Sequence, residues 1–452
     1  MKIFKTNTNI TLFFAASVVA AWSVPKLAES KELVPGEDGV ELKQAGAANG
    51  KCPPYGCPLL PRDMYFDEEA QKALKAIRMI NRQPYDDADV EIDLDASNQA
   101  LELLKSVGGK DQATLTLIGY KGGNLHDQVN QDRAFVISPY HIQEPEGKET
   151  RKSSSKLLMG VFDGHAKLGE LVSEYSVKTL PKLLSDKLEK LLAEADTDSQ
   201  HAREEIQKAL IETFIEVDKT APAEKSGGCT ASIVLQLGKY AYVANAGDSR
   251  SLIATYNKST SEVKIVYISR EDKPDLPEER NRVESMGGQV YIPPPERIRA
   301  GASSRVLYID PETGGTNGLA MSRSIGDWAA GAKGVIPDPT VDAIDIEQLV
   351  KGGAACAAKV DARTGATSVD ESCASEGLIE VFAVSATDGL LDFMDINDIA
   401  KTVAMSLYMD DSPHPLSACE SLITTAASAW WQAKNGKYRD DIAIAVSKLS
   451  LD

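Results

Sequence analysis

Three widely separated aspartates stand at the ends of strand-like apolar runs. Asp163 ends the first run, Asp388 follows a second, and Asp440 precedes a third. The backbone of a buried strand is held in place, so the residue at the end of the strand projects into a cleft. Carboxylates that are gathered there repel one another unless a cation lies between them. Mg²⁺ and Mn²⁺ prefer oxygen ligands of this kind. The pattern therefore predicts a carboxylate-rich binuclear metal site on a sheet scaffold.

The elements that must position these residues follow from apolar periodicity. Alternating runs predict strands, two pairs of which form hairpins, and helical spacing predicts four helices. The predicted strands are 114–120, 133–137, 157–162, 233–237, 240–246, 251–254, 263–267 and 442–449, and the predicted helices are 66–82, 168–195, 202–218 and 415–432. Hairpin-linked strands with helices inserted in pairs indicate an α+β fold, in which antiparallel sheets are covered by helices.

Glycine and proline refine this pattern at three places. Gly238 opens a two-residue hairpin turn and favours type II′. Pro181 is predicted to begin or kink a helical segment, because proline lacks the backbone donor of a helix interior. Residues 291–318 are rich in Pro and Gly and are predicted to be irregular.

Composition and the first residues limit the partners and the compartment. The 452 residues carry a formal net charge of -18, which argues against nucleic acid as the main partner, since phosphate backbones need Lys and Arg surfaces. Lys2 and Lys5 precede an apolar stretch at 10–22 and small residues at 20–23, the layout of a secretory signal. The stretch is too short for a stable membrane span. We expect a monomer in the secretory lumen, outside the cell or in a signal-routed organelle, and in the cytosol if this segment is not a signal.

Composition also divides the chain into segments. The predicted organisation is a signal-type segment at 1–24, a disordered linker at 25–62, an N-terminal helical extension at 63–110 and a large domain at 111–452 with an insertion at about 350–376.

The 6 cysteines fall into three groups. Cys52 and Cys57 flank a Pro/Gly-rich stretch, and Cys356 and Cys373 bracket the insertion. In an oxidising lumen both pairs could be disulfides, and in the cytosol they would be free thiols. The remaining two, Cys229 and Cys419, are predicted to be buried small hydrophobic residues. An N-glycosylation acceptor triplet at 257–259 lies in a polar turn and would be usable in the same lumen.

At this point the motifs resemble a known family, the metal-dependent Ser/Thr protein phosphatases of type 2C (the PPM class). The matching motifs follow the family's order between about residues 119 and 449. They are Asn130-Gln131-Asp132, Val161-Phe162-Asp163-Gly164-His165, Gly228-Cys229-Thr230-Ala231, Asn245-Ala246-Gly247-Asp248-Ser249-Arg250, Gly318 to Asp327, Ser385-Ala386-Thr387-Asp388-Gly389 and Arg439-Asp440-Asp441. The resemblance implies two antiparallel sheets packed face to face and flanked by helices, an α-β-β-α sandwich, with 111–452 as the phosphatase domain.

The resemblance also implies the metal ligands. Asp163 would bridge two Mg²⁺ or Mn²⁺ ions, and the backbone carbonyl of Gly164 would complete one coordination sphere. Asp388 and Asp440 match the other direct ligands of the first ion. Asp132 matches an acidic position that holds a metal-bound water. A single Asp-Gly would more simply be a turn, and the ordered set is what favours metal binding.

Further roles follow from the same comparison. Asp248 matches a ligand of a weaker third ion, shared with Asp388. His165 matches the general acid that protonates the leaving alkoxide, and it alone among the 5 histidines has a positional argument. Arg323 and Asp327 belong to a motif whose role is less direct. The implied activity is hydrolysis of phosphoserine and phosphothreonine in proteins by a water that two metal ions activate.

The chain departs from the family where a basic residue usually grips the substrate phosphate, just before Asn130. Lys121 and Arg133 are the candidate replacements. The segment Glu271-Asp272-Lys273-Pro274 stands where Asp-His-Lys-Pro is usual. The missing basic residue keeps open a pseudophosphatase that binds phosphoproteins without turnover, and the scaffold keeps open a small-molecule phosphomonoesterase.

Overall fold

The structure, a computed structural model, describes residues 58–59, 109–123, 128–142, 156–194, 199–223, 227–299, 301–310, 313–352, 359–360, 367–368, 379–409 and 414–451. Several predicted features lie outside these ranges, namely the targeting segment 1–24, the helix 66–82, and the cysteine pairs Cys52/Cys57 and Cys356/Cys373. Within the predicted linker, Pro58–Leu59 is described and forms a short strand.

The described elements follow one another as a mixed α and β chain. The strands are β1 (Pro58–Leu59), β2 (Gln112–Leu117), β3 (Arg133–Ile137), β4 (Lys156–Phe162), β5 (Gly164–His165), β6 (Gly228–Cys229), β7 (Ala231–Leu237), β8 (Tyr240–Ala246), β9 (Arg250–Asn257), β10 (Glu262–Ile268), β11 (Gln289–Tyr291), β12 (Arg305–Ile309), β13 (Thr316–Leu319), β14 (Ile325–Gly326), β15 (Thr340–Asp345), β16 (Lys359–Val360), β17 (Thr367–Ser368), β18 (Ile379–Ala386) and β19 (Ile442–Leu449). The helices are α1 (Gly169–Glu194), α2 (Gln200–Thr220), α3 (Pro277–Ser285), α4 (Pro295–Ile298), α5 (Trp328–Gly331), α6 (Ile346–Gly352), α7 (Asp388–Leu391), α8 (Ile396–Ala404) and α9 (Pro415–Lys434), with a π-helical turn at Met405–Met409.

Two antiparallel sheets form the centre of the fold. The larger has the order β1-β3-β4-β7-β8-β15, and the smaller has the order β10-β9-β18-β19-β2. One buried apolar cluster joins residues of both sheets, among them Val161 of the first and Ala383 of the second. Helices α1 and α2 cover the outer face of the larger sheet, and α8 and α9 cover the smaller one. The predicted α-β-β-α sandwich is confirmed.

Side-chain alternation shows why these strands are apolar on both faces. In β19, Ile442 and Ile444 point to the helices, whereas Ala443 and Ala445 point to the facing sheet. Successive side chains of a strand alternate between faces, and a sheet covered on both sides needs apolar residues on each. The small alanines lie on the inner face, where the two sheets meet.

Most predicted elements are confirmed, and their bounds shift by a few residues. The terminal strand and the 240–246 strand match the prediction. Gly238 has φ +56° and Lys239 has no positive φ, as a type II′ turn requires. Pro181 lies inside α1 and does not begin a helix. Both Cys229 and Cys419 are buried free thiols, as predicted.

The prediction of irregular structure at 291–318 is wrong. Strands β11, β12 and β13 form a small antiparallel sheet there, with the short helix α4 between the first two. Val306 and Leu319 pack with Val283 and Met321 in a separate apolar cluster. The strands are only three to five residues long, so their alternation is too brief to stand out against the flanking Pro and Gly.

A second small sheet, in the order β14-β6-β5, lies beside the active-site motifs. Its middle strand pairs Gly228 with His165 on one side and with Gly326 on the other. Residues from three distant parts of the chain are thereby held within one backbone ladder. In the described part of the chain, no helix is long and apolar enough to span a membrane.

Candidate metal centre

The larger sheet places Asp132 beside Asp163. Asp132 immediately precedes β3 and Asp163 immediately follows β4, and these strands pair with Arg133 opposite Phe162. The Gly164 N–H donates to the Gln131 carbonyl at 3.1 Å. A Cβ at Gly164 would lie 2.5 Å from that same oxygen, so the glycine is needed for the approach of the two segments.

The smaller sheet places Asp388 beside Asp440. Strands β18 and β19 pair with Ala386 opposite Ile444, and the Thr387 N–H donates to the Ala443 carbonyl at 3.1 Å. A Cβ at Gly389 would lie 1.9 Å from the Asp441 carbonyl oxygen. Only glycine therefore allows the start of α7 to approach the segment that carries Asp440.

The carboxylates from the two sheets share one electrostatic environment. Burial raises the pKa of Asp132 well above its ordinary value, and the charges of Asp441, Asp440 and Asp388 raise it further. Burial likewise raises the pKa of Asp163, and Asp132, Asp440 and Asp248 add to it.

Burial also raises the pKa of Asp388 well above its ordinary value, and the charges of Asp163, Asp248 and Asp440 raise it further. The structure therefore brings together all five predicted metal-binding aspartates, and the ionised forms of Asp132, Asp163 and Asp388 are opposed by their neighbours.

Two oxygens of this cluster are buried without a hydrogen-bond partner among the described residues, Asp132 Oδ2 and Asp248 Oδ1. A buried carboxylate oxygen that lacks a partner is costly, and divalent cations would satisfy these oxygens and offset the mutual repulsion. Among the described side chains, no group of three or more His, Cys, Asp or Glu stands ready-made in metal-binding geometry. The donor set nevertheless fits hard, oxygen-seeking ions.

Two lysines supply positive charge to the cluster. Lys121 Nζ lies 3.2 Å from Asp440 Oδ1 and 3.2 Å from Asp441 Oδ2. Lys273 Nζ lies 2.7 Å from Asp248 Oδ2. Burial alone would lower the pKa of either lysine, but the adjacent carboxylates raise both above the ordinary value, so both carry a full charge.

The two candidate phosphate-binding residues differ in their surroundings. Arg133 donates from Nε to Glu174 at 2.7 Å and from Nη1 to the carbonyls of Asn130 and Asp132 at 2.9 and 2.8 Å. Those bonds use three of its five N–H donors. Lys121 contacts the carboxylate cluster itself, and its side chain is 37% exposed.

His165 lies at the side of the cluster and contacts Asp327. Its Nε2 is 2.6 Å from Asp327 Oδ2. Burial alone would lower the pKa of the imidazole, but the Asp327 carboxylate, through its charge and this hydrogen bond, raises it above the ordinary value. At neutral pH the ring can therefore carry the proton that a general acid needs.

Sequence reasoning missed the role of Asp441. Its Oδ1 accepts the Gly119 N–H at 2.5 Å, and its Oδ2 accepts the Gln131 N–H at 3.2 Å. It thereby ties the segment after β2 and the residue before Asp132 to the segment that precedes β19. The two successive aspartates Asp440 and Asp441 were a signal of two separate roles, because successive side chains at the end of a strand point in different directions.

Comparisons with known proteins agree with this geometry. Residues 127–430 match the sequence model of the family described as protein phosphatase 2C. The chain is 25% identical over 323 residues to the Arabidopsis thaliana protein named "Probable protein phosphatase 2C 41", covering 70% of this chain and 77% of that one. It is 26% identical over 320 residues to "Probable protein phosphatase 2C 72" of the same plant, covering 70% and 80%.

A solved structure is similar in fold. The crystal structure of a serine-threonine phosphatase 2C from Toxoplasma gondii superposes with a TM-score of 0.52 at 17% sequence identity, covering 75% of this chain and 95% of that one. At that identity the likeness supports the sandwich architecture alone.

Proposed function

The chain belongs to the protein phosphatase 2C family, and from this premise we propose that it hydrolyses phosphoserine and phosphothreonine in proteins with Mg²⁺ or Mn²⁺ as cofactor. The observation that carries the proposal is the convergence of aspartates from two sheets, with two buried carboxylate oxygens, Asp132 Oδ2 and Asp248 Oδ1, that lack a partner among the described residues. A cluster that opposes its own ionisation in this way favours cations as its permanent counter-charge.

The residues that would hold two ions are Asp163, Asp388, Asp440, Asp132 and the carbonyl of Gly164. Asp248, together with Asp388, would hold a weaker third ion. When bound, such ions supply the Lewis-acid chemistry that activates the attacking water and neutralises phosphate charge. The chain contributes the rigid strand ends that fix the ligands in place.

Lys121 is the residue that we propose to contact the substrate phosphate. Its ammonium lies at the edge of the cluster, 3.2 Å from Asp440, and is partly exposed to solvent. A partly exposed ammonium can form a charge-assisted hydrogen bond with a phosphate oxygen. Arg133 is the weaker candidate, because Glu174 and two carbonyls already use three of its five N–H donors.

His165 is the residue that we propose to protonate the leaving group. A serine or threonine alkoxide is a strong base, so the proton must be supplied as the phosphorus–oxygen bond breaks. The raised pKa of His165 favours the protonated imidazole before that step.

The test is turnover of a phosphoserine peptide and of p-nitrophenyl phosphate by the full chain, with Mn²⁺ and with excess EDTA. We expect peptide turnover with Mn²⁺ and none with EDTA. Peptide turnover that persists in EDTA would refute the metal mechanism. Turnover of the small ester alone would favour the phosphomonoesterase, and phosphopeptide binding without turnover would favour the pseudophosphatase.

A further inference from the structure

Asp327 immediately precedes α5, at the N-cap position, but its side chain does not cap the helix. An aspartate at this position usually accepts a hydrogen bond from an N–H of its own helix, and Asp327 makes no such bond. Its side chain turns instead to His165, with Oδ2 at 2.6 Å from Nε2. The same oxygen accepts a hydrogen bond from the Ser324 hydroxyl at 2.7 Å. The carboxylate is thus held by two donors and is 3% exposed.

The backbone around Asp327 is built to allow this contact. Asp327 has φ +52°, a left-handed conformation that Asp tolerates better than most residues. Its N–H donates to the Gly227 carbonyl at 2.9 Å, which fixes that conformation. The strain is therefore supported locally, as is usual at functional sites.

Gly228 provides the space between Asp327 and His165. It lies in the middle strand of the β14-β6-β5 sheet, opposite His165 on one side and Gly326 on the other. A Cβ at Gly228 would lie 2.1 Å from Asp327 Oδ2. Any larger residue would therefore displace the carboxylate. The small sheet brings residues 165, 228 and 326 together. Because Gly228 has no side chain, Asp327 can reach the imidazole.

The contact leaves the two ring nitrogens of His165 in different states. Nε2 is occupied by Asp327, and Nδ1 is buried with no hydrogen-bond partner among the described residues. A carboxylate on one nitrogen fixes the ring plane and the tautomer of the imidazole. This is the arrangement by which a carboxylate orients an imidazole for proton transfer.

We propose that Asp327 is a positioning residue for His165: through Nε2 it holds the imidazole in the one orientation from which the ring serves as general acid to the leaving alkoxide. This inference rests on the proposed function and adds to it the residue that sets the orientation of the acid. The proton balance is simple, because His165 loses one proton to the alkoxide and Asp327 changes no bond.

The experiment is a double-mutant cycle of Asp327→Asn and His165→Gln, assayed with a phosphoserine peptide and with p-nitrophenyl phosphate. Asparagine tolerates the left-handed backbone and replaces the charged carboxylate with a neutral amide. A nitrophenolate leaves without a proton, so loss of the acid affects it little. We expect Asp327→Asn to lower kcat on the peptide by about 10²-fold, within the range for general acids, and on the small ester by less than about threefold.

The cycle separates positioning from a purely structural role. If Asp327 acts through His165, Asp327→Asn causes almost no further loss on the peptide in the His165→Gln background. Multiplicative losses, or equal losses on both substrates, would overturn the proposal. Asp218→Ala is the matched control, because Asp218 Oδ1 anchors the same segment through the Gly326 N–H at 2.7 Å without touching the imidazole. Asp218→Ala should change the turnover of both substrates by the same factor.

A second readout does not depend on activity. In protein labelled with ¹⁵N-histidine, the His165 signal, assigned by its loss in His165→Gln, should show a strongly hydrogen-bonded Nε2–H whose bond weakens in Asp327→Asn, because a neutral amide oxygen accepts more weakly than a carboxylate. An unchanged signal would overturn the pairing. If the wild-type chain hydrolyses neither ester, the proposed function fails, and the spectrum still decides whether Asp327 holds the ring.

Discussion

Lys273 and Asp248 form an ion pair, with Nζ 2.7 Å from Oδ2, at the aspartate that we propose to hold a weaker third ion. The Asp248 side chain is 3% exposed and that of Lys273 is 28% exposed. The ammonium therefore serves as an internal counter-charge at this carboxylate.

Replacing Lys273 by Met should make stability depend on metal. Without Mn²⁺ the variant leaves Asp248 buried and unpaired, which costs about 1–3 kcal/mol of unfolding free energy. With saturating Mn²⁺ the deficit should shrink, because an ion at Asp248 replaces the lost charge. Thermal unfolding in EDTA and in Mn²⁺ measures both values.

The control for that experiment is Lys258→Met, which removes the more exposed ion pair with Glu380. Surface pairs contribute little, so its melting temperature should change slightly and equally in both conditions. A deficit of Lys273→Met that is the same with and without Mn²⁺ would contradict the assignment of Lys273 as counter-charge at a cation site.

Lys121→Gln and Arg133→Gln should have opposite signatures. Lys121 lies in the cleft, so its loss should raise KM for a phosphopeptide about tenfold, the value of one charge-assisted hydrogen bond, with little change in kcat. Arg133 binds Glu174 and backbone carbonyls, so its loss should lower the melting temperature and leave KM nearly unchanged. Steady-state kinetics and thermal unfolding of both variants decide this. A raised KM in Arg133→Gln alone would reverse the assignment.

Glu420 predicts a pH dependence of stability that is independent of the metal centre. This glutamate of α9 is buried, its Oε1 has no hydrogen-bond partner among the described residues, and burial raises its pKa to about 7 from 4.5. Because the folded pKa is the higher one, the folded state binds this proton more tightly. Stability from this group is complete below about pH 4.5 and is lost as pH rises through about 7, by about 3 kcal/mol in total.

Glu420→Gln removes that loss. At pH 8 the variant should unfold at higher urea concentration than the wild type, and at pH 5 the two should differ little. Glu262→Gln, at an exposed position of β10, is the control and should follow the wild type at both pH values. If Glu420→Gln were destabilised equally at pH 5 and pH 8, the carboxyl would be ionised and paired in the folded protein.

Asn257 provides the test of the expected compartment. In the structure its Oδ1 accepts hydrogen bonds from the Ser259 N–H at 2.9 Å and the Ser259 hydroxyl at 2.6 Å, and the turn that follows it is exposed. If the chain enters the secretory lumen, mass spectrometry of protein from its native source should find a glycan on Asn257 and a start after residue 24. An intact Met1 with an unmodified Asn257 would place the protein in the cytosol.

The sequence predicted what depends on strand periodicity and missed what depends on distant contacts. The terminal strand 442–449 was predictable because its alternation is long. The partner of His165 was not, because Asp327 is 162 residues away and an aspartate before a short helix indicates a cap. The strands within 291–318 were hidden by their brevity. Propensity is local, whereas these features arise when separate segments meet.

The central claim is that Asp163 is a ligand of the two proposed metal ions. Mn²⁺ binding by Asp163→Asn tests this claim most directly. Titration calorimetry and phosphopeptide turnover are measured on the same preparations of wild type, Asp163→Asn and Asp398→Asn, the last an exposed aspartate of α8. We predict that wild type and Asp398→Asn bind at least two Mn²⁺ ions and turn over the peptide. Asp163→Asn should retain the fold but lose tight Mn²⁺ binding and turnover. Unchanged Mn²⁺ stoichiometry and turnover in Asp163→Asn would contradict it.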